Sequence, residues 1–146
     1  MTIDILCKVV DNYGDIGLVY RLARAFRDLD PGLGIRIIVD KLEAFRDLAP
    51  DLDLELEPRP GQSSGPLSFR GFTIIPWDEA WQGMWEERPR FVVECFACGR
   101  PEWFDDLLYD PEDEGLRRVV NLEYLSAEDY ARDFHLMPSA TRSAQV

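Results

Sequence analysis

At 146 residues the chain has the length of one domain, since roughly 100 to 200 residues per domain is the rule. Its 28 acidic residues outnumber 16 basic ones, for a formal net charge of -12, and the arginines are scattered, which argues against nucleic acid because no basic patch offsets phosphate repulsion. No run approaches the roughly 18 apolar residues of a membrane span, no basic-then-apolar leader opens the chain, and three cysteines leave one unpaired, so a cytoplasmic protein with no membrane partner is expected.

Ile3 to Val10 is an apolar run charged only at Asp4 and Lys8, which predicts a strand buried on both faces, as in parallel sheets. From Leu18 the apolar residues recur at Leu22, Ala25, Phe26 and Leu29, with Arg21, Arg24, Arg27 and Asp28 opposite, a helical stripe. Between strand and helix runs Asp11-Asn12-Tyr13-Gly14-Asp15-Ile16-Gly17. Ligands of open α/β sheets gather at the carboxyl ends of the strands, so Asp11 and Asp15 stand where chemistry is usually done. The plainer reading of Asp15 is a helix cap, with Gly14 and Gly17 relaxing the turn. Asp11 has no comparable structural role.

Asp30-Pro31-Gly32 marks a turn, and Ile35 to Val39 a second strand, parallel to the first through a right-handed crossover. Asp40 is placed to cap a helix carrying Leu42, Phe45 and Leu48, closed by Pro50. Leu52 to Leu56 alternates as an edge strand would, and Pro58 to Pro66 is a surface loop. Phe72 to Pro76 is another strand. Trp77, Trp81 and Trp85, four apart, form a packing ridge on a helix.

Phe91 to Glu94 is a further strand, ending on a third carboxylate at the functional edge. Cys95-Phe96-Ala97-Cys98 is formally a C-x-x-C, but with no second pair and a single histidine, His135, ordinary buried thiols are the better reading. Pro101 starts a helix with Trp103, Phe104, Leu107 and Leu108 as its apolar side. After an acidic loop at Asp110 to Gly115, Arg118 to Leu122 is a last strand, and Ser126-Ala127-Glu128-Asp129 a variant capping box before a helix reaching Phe134. Ser139 to Val146 has no apolar period, and a fraying tail is expected. Strands alternating with helices predict an α/β fold, a parallel sheet with helices on both faces.

The motif from Asp11 to Gly17, Arg21-Leu22-Ala23-Arg24, Glu94 with Phe96-Ala97-Cys98 and Pro101-Glu102, and Asn121-Leu122-Glu123-Tyr124-Leu125-Ser126-Ala127-Glu128-Asp129 together resemble the bacterial protein-arginine rhamnosyltransferases of the EarP family, which modify elongation factor P. The resemblance implies a GT-B glycosyltransferase that uses dTDP-β-L-rhamnose as donor, inverts the anomeric carbon and needs no metal or other cofactor. It implies catalytic roles for Asp11 and Asp15, with Asn12, Tyr13 and Gly14 lining the acceptor pocket. Asp15 is then the base toward the attacking nitrogen and Asp11 orients the guanidinium. The Asn121 to Asp129 block is either a contact site or a hinge toward a second domain.

The family is more than twice as long as this chain. Residues 1–138 are therefore expected to be its acceptor-side Rossmann-like domain and residues 139–146 a disordered tail. The domain that mainly builds the nucleotide-sugar site is expected to lie outside these residues, which predicts little or no donor binding and little activity for this chain alone. The alternative is a non-catalytic domain or fragment that docks elongation factor P. A haloacid-dehalogenase phosphatase wants its aspartates two apart, whereas Asp11 and Asp15 are four apart, and the G-x-G-x-x-G of a dinucleotide fold is missing.

Overall fold

The computed structural model describes residues 1–10, 13–48, 66–143 and 146. It is an α/β fold in the chain order β1 (Thr2–Cys7), α1 (Gly14–Leu29), β2 (Gly34–Val39), α2 (Glu43–Leu48), β3 (Leu67–Phe69), β4 (Phe72–Pro76), α3 (Gly83–Glu86), β5 (Phe91–Cys95), α4 (Glu102–Leu108), β6 (Arg118–Leu122) and α5 (Asp129–Phe134). Six strands form one sheet in the order β3-β4-β2-β1-β5-β6. All neighbouring pairs are parallel except the β3–β4 hairpin.

Every residue of β1 is buried, because helices cover both faces of the sheet. Ile3, Ile5 and Cys7 point to one side, where Ile16, Val19 and Ala23 of α1 and Ala44 and Phe45 of α2 complete a core cluster. Leu6 points to the other, joining Ile38, Ile75 and Val92 against Met84 of α3 and Phe104, Leu107 and Leu108 of α4. The period of two along each strand divides one sequence between two cores.

The connections place the site. From β1 the chain crosses by α1 to β2 on one side, and from β5 it crosses by α4 to β6 on the other. With β1 and β5 adjacent, the strand order reverses between them, and the crevice outside their carboxyl ends is where open α/β sheets bind ligands.

Several local expectations need correction. Helix α1 begins at Gly14, so Gly14 and Gly17 lie in helical backbone rather than in the turn. Its buried face is Ile16, Val19 and Ala23, while Leu18 is 41% and Leu29 81% exposed and Ala25 also faces outward. Leu22 and Phe26 of the expected stripe do pack against the core, but the buried face begins earlier, at Ile16. Strand β1 stops at Cys7, leaving Val10 exposed in the loop.

Helix α3 spans only Gly83–Glu86, so the three tryptophans share no helix; Trp77 is buried just after β4, and Trp81 and Trp85 pack against the same cluster from outside it. Asp40 does not cap α2; its carboxylate accepts the Val9 N–H at 2.8 Å and ties the end of β2 to the loop after β1. The N-cap of α5 is Glu128, with no side-chain cap bond, and Ser126 Oγ accepts the Glu128 N–H instead.

The short strand β3 has no counterpart among the sequence expectations. Its turn is held to α1 by Arg27, whose guanidinium donates to the carbonyls of Arg70 and Gly71 and lies over the Phe72 ring at 3.7 Å. Gly71 has φ +81, the left-handed conformation this tight turn requires. The expected strand at Leu52 to Leu56 and residues 58–65 of the expected loop lie outside the described residues. In the tail, Arg142 pairs with Asp105 at 2.9 Å and stacks over Tyr109; residues 144–145 lie outside the described residues.

Candidate functional site

Three segments converge at the β1/β5 crevice: the loop from β1 into α1, the turn after β5, and the chain leaving β6. Asp15 is in the first turn of α1, where the helix dipole favours a carboxylate. It is not the N-cap, which is Tyr13, itself without a side-chain cap bond. Asp15 Oδ2 accepts the Val10 N–H at 2.9 Å, closing the loop on itself. Asp15 Oδ1 accepts the Tyr124 hydroxyl at 2.7 Å. With these neighbours Asp15 is only 2% exposed.

Tyr13, by contrast, is 63% exposed, and Gly14 is exposed beside it. Asp11 and Asn12 lie outside the described residues. Of the expected site residues, the structure thus brings Tyr13 and Gly14 of the acceptor pocket and the catalytic candidate Asp15 to one end of α1, with only Asp15 covered.

Glu94 is the penultimate residue of the neighbouring strand β5, opposite Leu6 of β1. Its Oε2 accepts from Arg100 at 2.6 Å, and the same guanidinium donates to Asp105 at 2.6 Å. Glu94 therefore anchors the β5–α4 connection to α4 through Arg100. That pairing gives it a structural duty beside any chemical one.

The turn after β5 is strained. Phe96 and Ala97 have φ of +57 and +50, and Gly99 follows at +71. Two successive side-chain-bearing residues in the left-handed region are costly. The turn is held by the Phe96 N–H donating to Leu122 of β6 at 2.6 Å. Its consequence is the placement of the Phe96 ring, which stacks on Tyr124 with centroids 4.1 Å apart and planes at 11°.

Ala97 is exposed, so its methyl group adds strain without burial. Replacing Ala97 with Gly is expected to stabilise the chain by about 0.5 to 1 kcal/mol, the relieved left-handed penalty less the added entropy of the unfolded chain. A higher urea midpoint at unchanged slope is the expected reading; a lower midpoint contradicts the strain.

The thiols beneath this turn are inert by environment. Burial, with the neighbouring charges of Cys98, Asp15 and Glu94, pushes Cys95 up to about 12. Burial first, then Cys95 and Asp15, raises Cys7 further, and burial raises Cys98. All three are free thiols. Shifted in this direction, they stay protonated at neutral pH in the chain as it stands, as buried structural thiols do.

A separate cleft of about 510 Å³ lies on the outer side of α4, lined by Trp85, Tyr109, Arg142 and several carboxylates, and Asp15 is not in its wall. Among the described residues no helix is long and apolar enough to cross a membrane.

The sequence singled out Asp15 but missed its partners. Tyr124 belongs to the Asn121 to Asp129 block and Phe96 to the C-x-x-C, and neither motif points to Asp15. Nothing periodic links Tyr124 to Asp15 across 109 positions.

Over residues 3–146 the sequence matches the family described as "Elongation-Factor P (EF-P) rhamnosyltransferase EarP". A protein-arginine rhamnosyltransferase of Pseudomonas putida is 36% identical over 138 residues, covering 94% of this chain and 33% of the relative. That of Pseudomonas aeruginosa is 34% identical over 136 residues, with 93% and 33% covered. One from Neisseria meningitidis serogroup B is 35% identical over 147 residues, with 97% and 33% covered. The chain spans about a third of the length of these relatives.

Proposed function

The chain belongs to the EarP family of elongation factor P rhamnosyltransferases, and on that premise we propose that it forms the acceptor side of a protein-arginine rhamnosyltransferase. The donor is dTDP-β-L-rhamnose, the acceptor an arginine of elongation factor P, and the enzyme of GT-B type, cytoplasmic, inverting and independent of metal. The donor is bound mainly by residues outside this third of the relatives' length.

The observation that supports the reading is the position of Asp15, a carboxylate fixed by the Val10 N–H at the crevice where the strand order reverses. A guanidinium stays protonated at neutral pH and its nitrogens are poor nucleophiles. A carboxylate aligned with an N–H can draw its proton as the nitrogen attacks. The carbon–nitrogen bond then forms at the anomeric carbon from the face opposite dTDP, whose oxygen leaves with the bonding pair. The released N–H proton passes to Asp15 while Asp11 orients the guanidinium. Tyr13, Asn12 and the backbone at Gly14 are proposed for the acceptor pocket.

A second reading, a domain that only docks elongation factor P, draws support from the cover on Asp15, which is only 2% exposed. Calorimetry tests both. The chain is expected to bind elongation factor P, and to bind it roughly tenfold more weakly once the acceptor arginine is replaced by alanine, the scale of one charge-assisted pair. Equal affinity for both forms favours docking without arginine recognition, and no binding to either removes both readings.

A further inference from the structure

Asp15 is proposed to engage an incoming guanidinium, yet it is only 2% exposed, with Tyr124 among the groups that cover it. The Tyr124 hydroxyl donates to Asp15 Oδ1 at 2.7 Å, while the ring lies flat on Phe96, centroids 4.1 Å apart and planes at 11°. A planar group that donates a hydrogen bond to a carboxylate while lying face to face on an aromatic ring is also what an arginine side chain presents. Tyr124 thus occupies the place that an acceptor guanidinium would take.

We propose that Tyr124 is an internal stand-in for the acceptor arginine, which must displace it from Asp15 and Phe96 before Asp15 can act. The inference rests on the acceptor-side reading above. The groups around Asp15 include fixed ones and a movable one. Val10 N–H is backbone in the loop that Asp15 closes, and Phe96 is pinned by its N–H to the Leu122 carbonyl. Tyr124 itself is 57% exposed, and Leu125 next to it is wholly exposed. It lies in the irregular stretch between β6 and α5, and α5 buries no residue of its own. The cover can therefore move without unpacking either core.

The exchange also sets specificity. A guanidinium replaces the hydroxyl hydrogen bond with a charged one and the ring stack with a cation–π contact. An ammonium group has no plane to lay on Phe96, so arginine is preferred over lysine. Displacement reduces the apparent affinity by the fraction of chains in which Tyr124 has already left.

The probe is Nα-acetyl-arginine amide, titrated into the 146-residue chain and its variants and followed by NMR with ring-labelled tyrosine. Tyr124→Phe keeps the stacked ring but removes the donor, and is expected to bind the probe roughly tenfold more tightly than the parent, the usual scale of one hydrogen bond to a charged group. Asp15→Asn is expected to lose binding. In the parent chain the Tyr124 ring signals, shifted by the Phe96 face, are expected to move toward unstacked positions as the probe saturates.

If Asp15→Asn loses binding but Tyr124→Phe binds no tighter, or if the Tyr124 signals stay in place at saturation, Tyr124 is a fixed support and the stand-in is overturned while the acceptor site survives. Binding that ignores Asp15, or none in any of the three chains, removes the acceptor site and the inference with it.

Discussion

Asp15→Asn, placed in a chain spanning the full length of the relatives, is expected to lower rhamnose transfer to arginine by about 10²- to 10⁴-fold, the usual contribution of a positioned proton acceptor. The substitution is nearly isosteric. Its amide oxygen can still accept the Val10 N–H or the Tyr124 hydroxyl, so the loop and the first turn of α1 are expected to keep their shape. What disappears is the negative charge and the capacity to take a proton from the attacking nitrogen. The loss is therefore expected in kcat, with KM for the acceptor rising as well because the guanidinium loses its carboxylate partner, and with the urea midpoint close to the parent's. Intact-mass measurement of the acceptor after reaction reads the transfer directly. Activity within tenfold of the parent would assign the proton to another group and leave Asp15 as a clasp for the loop.

Much of this arrangement was legible in the residues. Strands β1, β2, β4, β5 and β6 announce themselves by β-branched runs, and their alternation with helical stripes dictates a parallel sheet. Placing Asp15 at the carboxyl edge needed nothing more than a strand, a turn and a helix in that order. The three-residue β3 was too short to carry a period. The tryptophans misled because a spacing of four suits a helix, whereas Trp77 follows directly from β4. Least legible was the cover on Asp15. It depends on a left-handed pair at Phe96 and Ala97 that glycine would normally mark, and on a tyrosine brought back across the sheet by β6.

A second large effect is expected far from the crevice, at the other end of β1. Asp4 and Arg36 face each other in register on β1 and β2. Both are buried, with Nε to Oδ1 at 2.6 Å and Nη2 to Oδ2 at 3.0 Å, and Arg36 Nη1 also donates to the Glu87 carbonyl at 2.8 Å. Arg36→Met preserves much of the stem but strands the carboxyl. Removing one partner of a buried pair costs about 3 to 5 kcal/mol, and that loss is expected at pH 8.

The pH dependence gives this prediction its sharper edge. Burial raises Asp4 from 3.8 to about 6 despite the opposing pull of Arg36, with Glu87 adding to the rise. Between those values the folded chain holds a proton that the unfolded chain has released, so the Asp4 contribution to stability falls as pH rises through the window. Above about 6 the parent levels off, both states being ionised. Without Arg36 only the raising influences remain, so the variant keeps its proton to higher pH and goes on losing stability. Parent and variant urea midpoints should therefore run parallel up to about pH 6 and diverge above it. Asp4→Leu combined with Arg36→Met should recover most of the loss, because an apolar pair leaves no charge behind. A difference that is the same at pH 5 and pH 8 would show that the packing of the Arg36 stem, rather than the charge on Asp4, sets the cost.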